Sequence, residues 1–147
     1  MFQGASALSL DAKGRLAIPS RHREALASED GQVVITAHPH GCLLVYPVPA
    51  WLPIRDQVLR APSLDPRSAL LTRLLVGYAQ DEALDNAGRV LIAPSLRQYA
   101  GLEKQVWMVG QGSHFELWSD ARWQAQQQAM MALAETGLPP GFESLAL

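Results

Sequence analysis

The sequence predicts an α+β, strand-rich chain made of two copies of one structural unit. The motif Asp-x-x-Gly-Arg begins at Asp11 and recurs 74 residues later at Asp85, and each copy leads into a short apolar run and a proline. Further along, at an offset of 72 residues, Tyr46 corresponds to Trp118. A pattern shared over this length indicates an internal repeat, and such a repeat decides the fold.

Composition and charge indicate a single packed unit with one positive end. Hydrophobic residues make up 48% of the chain, which is enough for a packed core. Each half alone is close to the size at which one core becomes marginal, so we expect the halves to pack together. The net charge is −2, but residues 1–23 carry +3 and residues 98–147 carry −3. An anionic partner would therefore meet the chain at the first motif.

The sequence also predicts a cytoplasmic protein with no membrane partner. No window approaches the roughly 18 uncharged apolar residues that a membrane-spanning helix needs. Residues 1–4 lack the basic and apolar regions of a signal peptide. Cys42 is the single cysteine, so an internal disulfide is excluded.

In the first half, each element follows from a local signal. Gly14 permits the positive φ of a tight turn between two strands. Pro19 can take the first position of a helix, where its missing N–H costs nothing. Two aliphatic, β-branched runs flank a Pro-His-Gly sequence, which is typical of a hairpin. The predicted elements are strands at 5–10, 15–18, 33–36 and 43–46, and helices at 19–27 and 50–60, the latter with Trp51, Ile54, Val58 and Leu59 on one apolar face.

The second half repeats this order after a linker at 61–66. Asp65 is expected to cap a helix whose first residue is Pro66. Ser119 is expected to cap the last helix, and a Pro-Pro-Gly sequence ends it. The predicted elements are strands at 74–84, 89–93, 105–109 and 115–118, helices at 96–100 and 119–135, and a loose tail.

Several segments resemble sequences of the MraZ family. They are residues 1–4, 10–15, 18–19 with Arg23, 85–89, 96–102 and 115–118, and the resemblance weakens over 61–68 and in the tail. It implies two tandem SpoVT/AbrB-like domains in which two swapped hairpins interleave, so we expect one pseudo-twofold β-barrel with flanking helices. The expected division is a first repeat at 5–51, connecting helices and linker at 52–79, a second repeat at 80–123, and a C-terminal helix and tail at 124–147.

The resemblance also implies a function. It indicates a bacterial transcriptional regulator, with no cofactor, that forms closed homo-oligomeric rings at the nucleoid. Such a ring is expected to bind direct repeats of double-stranded DNA upstream of its own gene, in the operon for cell division and wall synthesis. In the family, the Asp-x-x-x-Arg motifs are the DNA-binding signature, which places Asp11, Lys13, Arg15, Asp85 and Arg89 at the interface.

The residue types at these positions suit the role. An arginine fork can bind guanine O6/N7 or a phosphate with two hydrogen bonds, and nearby cations add phosphate contacts that make binding salt-sensitive. The expected DNA-binding residues are Lys13, Arg15, Arg21, Arg23, Arg89 and Arg97. The residues expected to shape the two turns are Asp11, Gly14, Asp85 and Gly88.

The two copies are not equivalent. The second has Ala87 where the first has Lys13, and Ser95 where the first has Arg21. It also has Ala93 in place of Pro19, with its proline one residue later. We therefore expect the first copy to carry most of the phosphate contacts.

Other classes of site and function are less well supported. His38, His40 and Cys42 form a metal-like cluster, but they lie on a Pro/Gly turn without a fourth ligand at matching spacing, so no metal site is expected. No common motif of an enzyme occurs, and Asp81 and Glu82 are expected to be solvated charges near the second motif. Two alternatives to a promoter-specific regulator remain: a ring-forming scaffold whose arginines bind an acidic protein, and an antitoxin-like AbrB-fold autoregulator.

Overall fold

The computed structural model describes residues 1–62 and 64–147, and this part of the chain contains eight strands and six helices. The strands are β1 (Ala5–Ser9), β2 (Arg15–Ala17), β3 (Gln32–Ala37), β4 (Leu43–Pro47), β5 (Gln80–Ala83), β6 (Arg89–Leu91), β7 (Gln105–Gly110) and β8 (Phe115–Ser119). The helices are α1 (Ser20–Leu26), α2 (Val48–Arg60), α3 (Pro66–Leu75), α4 (Pro94–Ala100), α5 (Asp120–Met131) and α6 (Leu133–Thr136). Among these described residues, no helix is both long enough and apolar enough to cross a bilayer.

The strand predicted over 74–84 is wrong at its start, because α3 extends to Leu75. The carboxylate of Asp65 accepts a hydrogen bond from the backbone N–H of Arg67, so the predicted N-cap is confirmed and begins a ten-residue helix. At the other end, the hydroxyl of Thr36 donates to the carbonyl of Leu75 at 2.6 Å. This bond satisfies one of the carbonyls that a helix end leaves unpaired.

The last predicted helix is also shorter than expected. Ser119 accepts a hydrogen bond from the backbone N–H of Arg122 at 3.1 Å, which confirms it as the N-cap of α5. This helix ends at Met131 instead of continuing to 135, and the separate short helix α6 follows. Side chains beyond α5 are exposed.

The large sheet combines strands of both repeats in the order β1-β7-β8-β4-β3-β5. The hairpins β3–β4 and β7–β8 lie side by side, joined by the antiparallel pairing of β4 with β8. The first strand of each repeat is added to the hairpin of the other, since β1 pairs with β7 and β5 pairs with β3. Neither half therefore completes its sheet alone.

The strands do not close into the single β-barrel that the resemblance implies. In the described residues, β1 and β5 are the two edges of the six-stranded sheet, and β2 and β6 form a separate two-stranded sheet. The reason lies in the motif turns, which take the chain away from the large sheet after β1 and β5. A single bridge between Leu10 and Leu16 connects β1 to β2.

The main core lies between the two sheets. Its contributors from the segments that contain β2 and β6 are Leu16, Ile18, Val90 and Ile92, each at most 1% exposed. Helices α1 and α4 add Leu26 and Leu96, and the large sheet adds residues such as Ile35, Met108, Phe115 and Leu117. Burial of these aliphatic side chains fixes the two-stranded sheet in place, with one face inward and one outward.

Two aromatic clusters lie on the opposite face of the large sheet. Trp51 of α2 packs with Tyr46, and at the equivalent place Trp123 of α5 packs with Trp118. Only the first cluster is also covered by α3, through Leu75. The apolar face predicted for α2 is wrong at Leu59, which is 55% exposed.

Candidate nucleic-acid interface

The outward face of the sheet β2–β6 carries one arginine from each motif. The strands pair with Arg15 opposite Leu91 and Ala17 opposite Arg89, while the central residue of each strand is buried in the core. Side chains alternate along a strand, so these four residues share the outer face. Arg15 and Arg89 are diagonal neighbours on it, a relationship that places residues about 7–8 Å apart.

The first turn is held by the carboxylate of Asp11. Its Oδ1 accepts hydrogen bonds from the backbone N–H groups of Lys13 at 3.0 Å and Arg15 at 2.8 Å. Its Oδ2 accepts from the Nε of Arg15 at 2.8 Å. These bonds, above all that from the backbone N–H of Arg15, hold the pKa of the Asp11 carboxyl below its ordinary value. Asp11 thus fixes both the turn and the direction of the Arg15 guanidinium.

The second turn has the same geometry. Oδ1 of Asp85 accepts from the backbone N–H groups of Ala87 and Arg89, both at 2.9 Å, and Oδ2 accepts from the Nε of Arg89 at 2.9 Å. The backbone N–H of Arg89 is the main cause that lowers the pKa of the Asp85 carboxyl. Because Lys13 and Ala87 occupy equivalent places in the two turns, the lysine side chain is not needed to form the turn. The exposed ammonium of Lys13 is available to another molecule.

Each turn is bonded to the strand end of the other repeat. The backbone N–H of Ile92 donates to the carbonyl of Gly14 at 2.8 Å, and that of Ile18 donates to the carbonyl of Gly88 at 2.9 Å. Both glycines have positive φ, +81° and +76°. The two turns are therefore parts of one continuous surface.

An arginine from the opposite repeat lies over each of these glycines. A Cβ at Gly14 would be 2.7 Å from Cζ of Arg97, and a Cβ at Gly88 would be 2.2 Å from Nε of Arg23. The Nε of Arg23 donates to the carbonyl of Ile18 at 2.7 Å, and the Nε of Arg97 makes the equivalent bond at 2.9 Å. Both guanidinium groups are thus anchored and half-buried.

The structure regroups the predicted cations. By sequence order, Arg23 goes with the first motif and Arg97 with the second, but the fold places each beside the other repeat's turn. The first turn therefore brings together Lys13, Arg15 and Arg97, and the second brings together Arg89 and Arg23. The imbalance between the two turns is smaller than sequence order suggests.

Arg21 lies apart from these two groups. Its Nη2 donates to the hydroxyl of Ser6 on β1 at 2.9 Å, and the residue is exposed. The substitution of Ala93 for Pro19 leaves the helix starts alike, because both residues are N-caps with φ near −50° to −55°. The second copy therefore differs from the first in charge and keeps its backbone geometry.

Sequence reasoning did not single out Leu91 or Ala17. Leu91 lies opposite Arg15 and Ala17 lies opposite Arg89 on the outer face, and Leu91 is 40% exposed. The position of Leu91 could have been predicted from the alternation of side chains along β6, since a residue two places from Arg89 must share its face. These apolar groups form the centre of the surface.

The metal-like cluster is divided by the fold. Cys42 is fully buried, and burial raises the pKa of its thiol to about 12. His38 lies in the turn with its Nδ1 accepting from the backbone N–H of His40 at 3.0 Å. Residues 1–62 and 64–147 contain no group of three or more His, Cys, Asp or Glu side chains placed to hold a metal ion.

Comparison with known proteins assigns the family. A family model described as "MraZ protein, putative antitoxin-like" matches twice, over residues 1–74 and 75–136. A protein of Aromatoleum aromaticum named transcriptional regulator MraZ is 71% identical over 147 residues, which is 100% of both chains. Proteins of the same name from Azoarcus sp. and Dechloromonas aromatica are 62% and 60% identical, again over 100% of both chains. With the resemblance confirmed by these matches, the chain belongs to the MraZ family.

Proposed function

We propose that this chain is a sequence-specific DNA-binding transcriptional regulator of the bacterial division and cell-wall operon. It binds direct repeats in its own promoter through its Asp-x-x-x-Arg motifs, presented on a homo-oligomeric ring in the cytoplasm at the nucleoid. The name transcriptional regulator MraZ, carried by full-length relatives, supports the regulatory role. The observation that carries the DNA-binding role is the outward face of β2–β6, with Arg15 and Arg89 on it.

Arg15 and Arg89 are the residues that contact the edges of the bases. A two-stranded ribbon has the width to enter the major groove of B-DNA. Each Nε–H is held by an aspartate, which leaves the Nη groups of Arg15 and Arg89 to bind guanine O6 and N7 or a phosphate. Since the guanidinium direction is already set, little side-chain freedom is lost on binding.

The apolar centre of the ribbon adds a second kind of base contact. Ala17 and Leu91 occupy the other diagonal of the outer face, opposite Arg89 and Arg15 respectively. The C5-methyl group of thymine is the apolar feature of the major groove. A site with thymine next to guanine fits the pairing of each arginine with an apolar residue on this face.

Phosphate contacts come from the cations around the ribbon. Lys13 and Arg97 lie beside the first turn, Arg23 lies beside the second, and Arg21 extends the surface along β1. Contacts of this kind set position and register without reading sequence. Each one also makes binding weaker as salt rises.

Oligomerisation accounts for the use of direct repeats. A single protomer offers only a few contacts, so several ribbons on one ring raise affinity through effective concentration. Spacing between repeats then matters, because a shift of half a helical turn moves a repeat to the wrong face of the duplex. The exchange of β1 and β5 between hairpins supports a swapped-hairpin arrangement within each protomer, with the repeats at 5–51 and 80–123.

The test is fluorescence anisotropy on the DNA upstream of the gene, with a shuffled duplex as the competitor sequence, across a salt series. Wild type should prefer its own upstream DNA, and Arg15→Ala should lose that preference. Arg67→Ala is the matched control, since Arg67 is an exposed arginine on α3 that forms an ion pair with Asp65. An Arg15→Ala protein that weakens equally on both duplexes would make Arg15 a phosphate contact. No preference in wild type would reject the proposed function.

A second candidate is a ring-forming scaffold that binds an acidic protein through the same arginines. The observation that favours it is the set of exposed leucines on α2 and α3, which a protein partner could cover. The third, an antitoxin-like autoregulator, is favoured by the exposed C-terminal segment, which a toxin could bind. A scaffold needs no DNA sequence preference, so the shuffled duplex separates it from the regulator. An autoregulator also prefers its own upstream DNA, so it is separated by removing the exposed C-terminal segment, which should abolish toxin binding and leave the DNA preference intact.

A further inference from the structure

A groove between α2 and α3 has no partner in the described chain. It has a volume of about 280 Å³ and is lined by residues that include Val58, Leu59, Ala69 and Thr72. The side chain of Leu59 is 55% exposed at its rim. The groove lies on the first repeat, where the ten-residue α3 follows α2; in the second repeat only the four-residue α6 follows α5.

The second repeat ends in an exposed segment, residues 132–147, that carries apolar side chains. Leu138, Phe142 and Leu145 are each about half exposed, although they are large apolar residues. The short helix α6 within the segment packs against α5. Apolar side chains spaced along an uncovered segment are typical of a surface that meets another protein.

The charges of the two features are opposite. Residues 132–147 contain Glu135 and Glu143 and no lysine or arginine. Arg73 lines the groove, and Arg60 ends α2 beside it. In the described residues, neither arginine has a carboxylate within salt-bridge distance, whereas Arg55 and Arg67 on the same helices do.

We propose that the C-terminal segment of one copy docks in the α2–α3 groove of a second copy. This contact rests on the proposed oligomer and names its interface. The groove belongs to the first repeat and the segment to the second, so the contact is head-to-tail. A head-to-tail contact uses two different surfaces of each chain and repeats from copy to copy, and the assembly is a ring when the rotation between copies closes.

Charge reversal tests both the contact and its direction. The groove variant is Arg60→Glu with Arg73→Glu, and the segment variant is Glu135→Arg with Glu143→Arg. In each variant alone, groove and segment carry the same sign, so light scattering should show a fall from the wild-type mass towards that of a single chain. Mixing the two variants pairs every groove with an oppositely charged segment of the other chain, and the wild-type mass should return. Lys104→Glu, an exposed reversal away from the groove, should keep the wild-type mass.

Three results would overturn the proposal. They are a single-chain mass for wild type at micromolar concentration, an unchanged mass for both variants, and a mixture that stays dissociated while circular dichroism shows both variants folded. A mixture that fails in this way would place the contact within one chain or elsewhere.

Phe142→Ser should weaken assembly without a charge change, which tests the apolar part of the contact. Anisotropy on the upstream DNA is measured separately, so a sequence preference that persists in dissociated variants leaves the proposed DNA-binding role standing.

Discussion

The guanidinium of Arg23 lies directly over the α-carbon of Gly88, although the two residues belong to different repeats. A Cβ at Gly88 would be 2.2 Å from Nε and 2.7 Å from Cδ of Arg23. The same Nε donates to the carbonyl of Ile18, whose own N–H donates to the carbonyl of Gly88. Three residues thus connect the first repeat's helix to the second repeat's turn, and Arg97 with Gly14 repeats the arrangement.

Gly88→Ala should lower the free energy of unfolding by more than the cost of placing an alanine at the positive φ of residue 88. At φ +76° an alanine costs about 1–2 kcal/mol. The added methyl group also displaces Arg23 and breaks its hydrogen bond to Ile18. Gly31→Ala is the matched control, because its φ is +73° and a Cβ there has no atom within 4 Å. Urea unfolding should show the larger loss for Gly88→Ala.

A double-mutant cycle isolates the contact itself. Arg23→Ala removes the obstructing side chain, so Gly88→Ala should cost less in that background than in wild type. We expect a coupling free energy within the range of about 0.5–3 kcal/mol that contacting residues show. Additive effects of the two substitutions would mean that Arg23 moves aside at no cost, and that the contact does not hold the turn.

Asp11→Ala should weaken DNA binding even though it removes a negative charge from the interface. The carboxylate holds the turn and directs the Arg15 guanidinium through three hydrogen bonds, so its loss leaves the arginine undirected. We expect a loss of at least several-fold in affinity by anisotropy. Glu24→Ala is the comparison, since it removes one exposed carboxylate from α1 and should leave affinity unchanged or slightly higher. Tighter binding by Asp11→Ala would mean that its charge outweighs its role in the turn.

Stability should fall as the pH drops below about 6.5. Burial, together with the positive charge of Arg21, lowers the pKa of His22, whose ring packs against Phe2 and Phe115. Burial also lowers the pKa of His38 and of His114. The unfolded chain therefore binds more protons than the folded chain in this range, and the free energy of unfolding decreases with falling pH.

Urea unfolding at pH 7.5 and 5.5 measures the effect. The midpoint should be lower at pH 5.5, and His22→Phe, which keeps the aromatic contacts and removes the titrating group, should reduce the difference. Equal midpoints for wild type at the two pH values would show that these histidines have the same pKa in the folded and the unfolded chain.

Local signals in the sequence were sufficient for most elements. Asp65 and Ser119 cap helices through contacts with residues two or three places away, so their effect does not depend on the rest of the fold. Leu59 shows the limit of periodicity. Its spacing from Trp51 places it near the apolar face of α2. Whether it is buried depends on which other element packs against that face, and the helical pattern does not predict this.

The charged and turn-forming residues of the candidate site were named from the sequence one by one, but its apolar residues and the arrangement of the whole were not. Asp11 and Arg15 are close in sequence, and the motif alone suggested their contact. The position of Arg97 over Gly14 depends on strands exchanged between the two repeats, a long-range pairing without a local signal. The same is true of the register that places Leu91 beside Arg15.

Ala87→Lys should make the second turn bind phosphate as the first does. The N–H of residue 87 bonds to Asp85 while its side chain is exposed, and the first turn carries Lys13 at this place with the same geometry. The substitution should therefore leave the turn intact and add one phosphate contact. In a plot of log affinity against log salt, the slope should steepen by about 0.9 for each protomer that contacts the DNA. Ala125→Lys adds the same charge at an exposed position of α5 and should leave the slope unchanged. Equal slopes for Ala87→Lys and wild type would mean that the second turn does not face the DNA backbone.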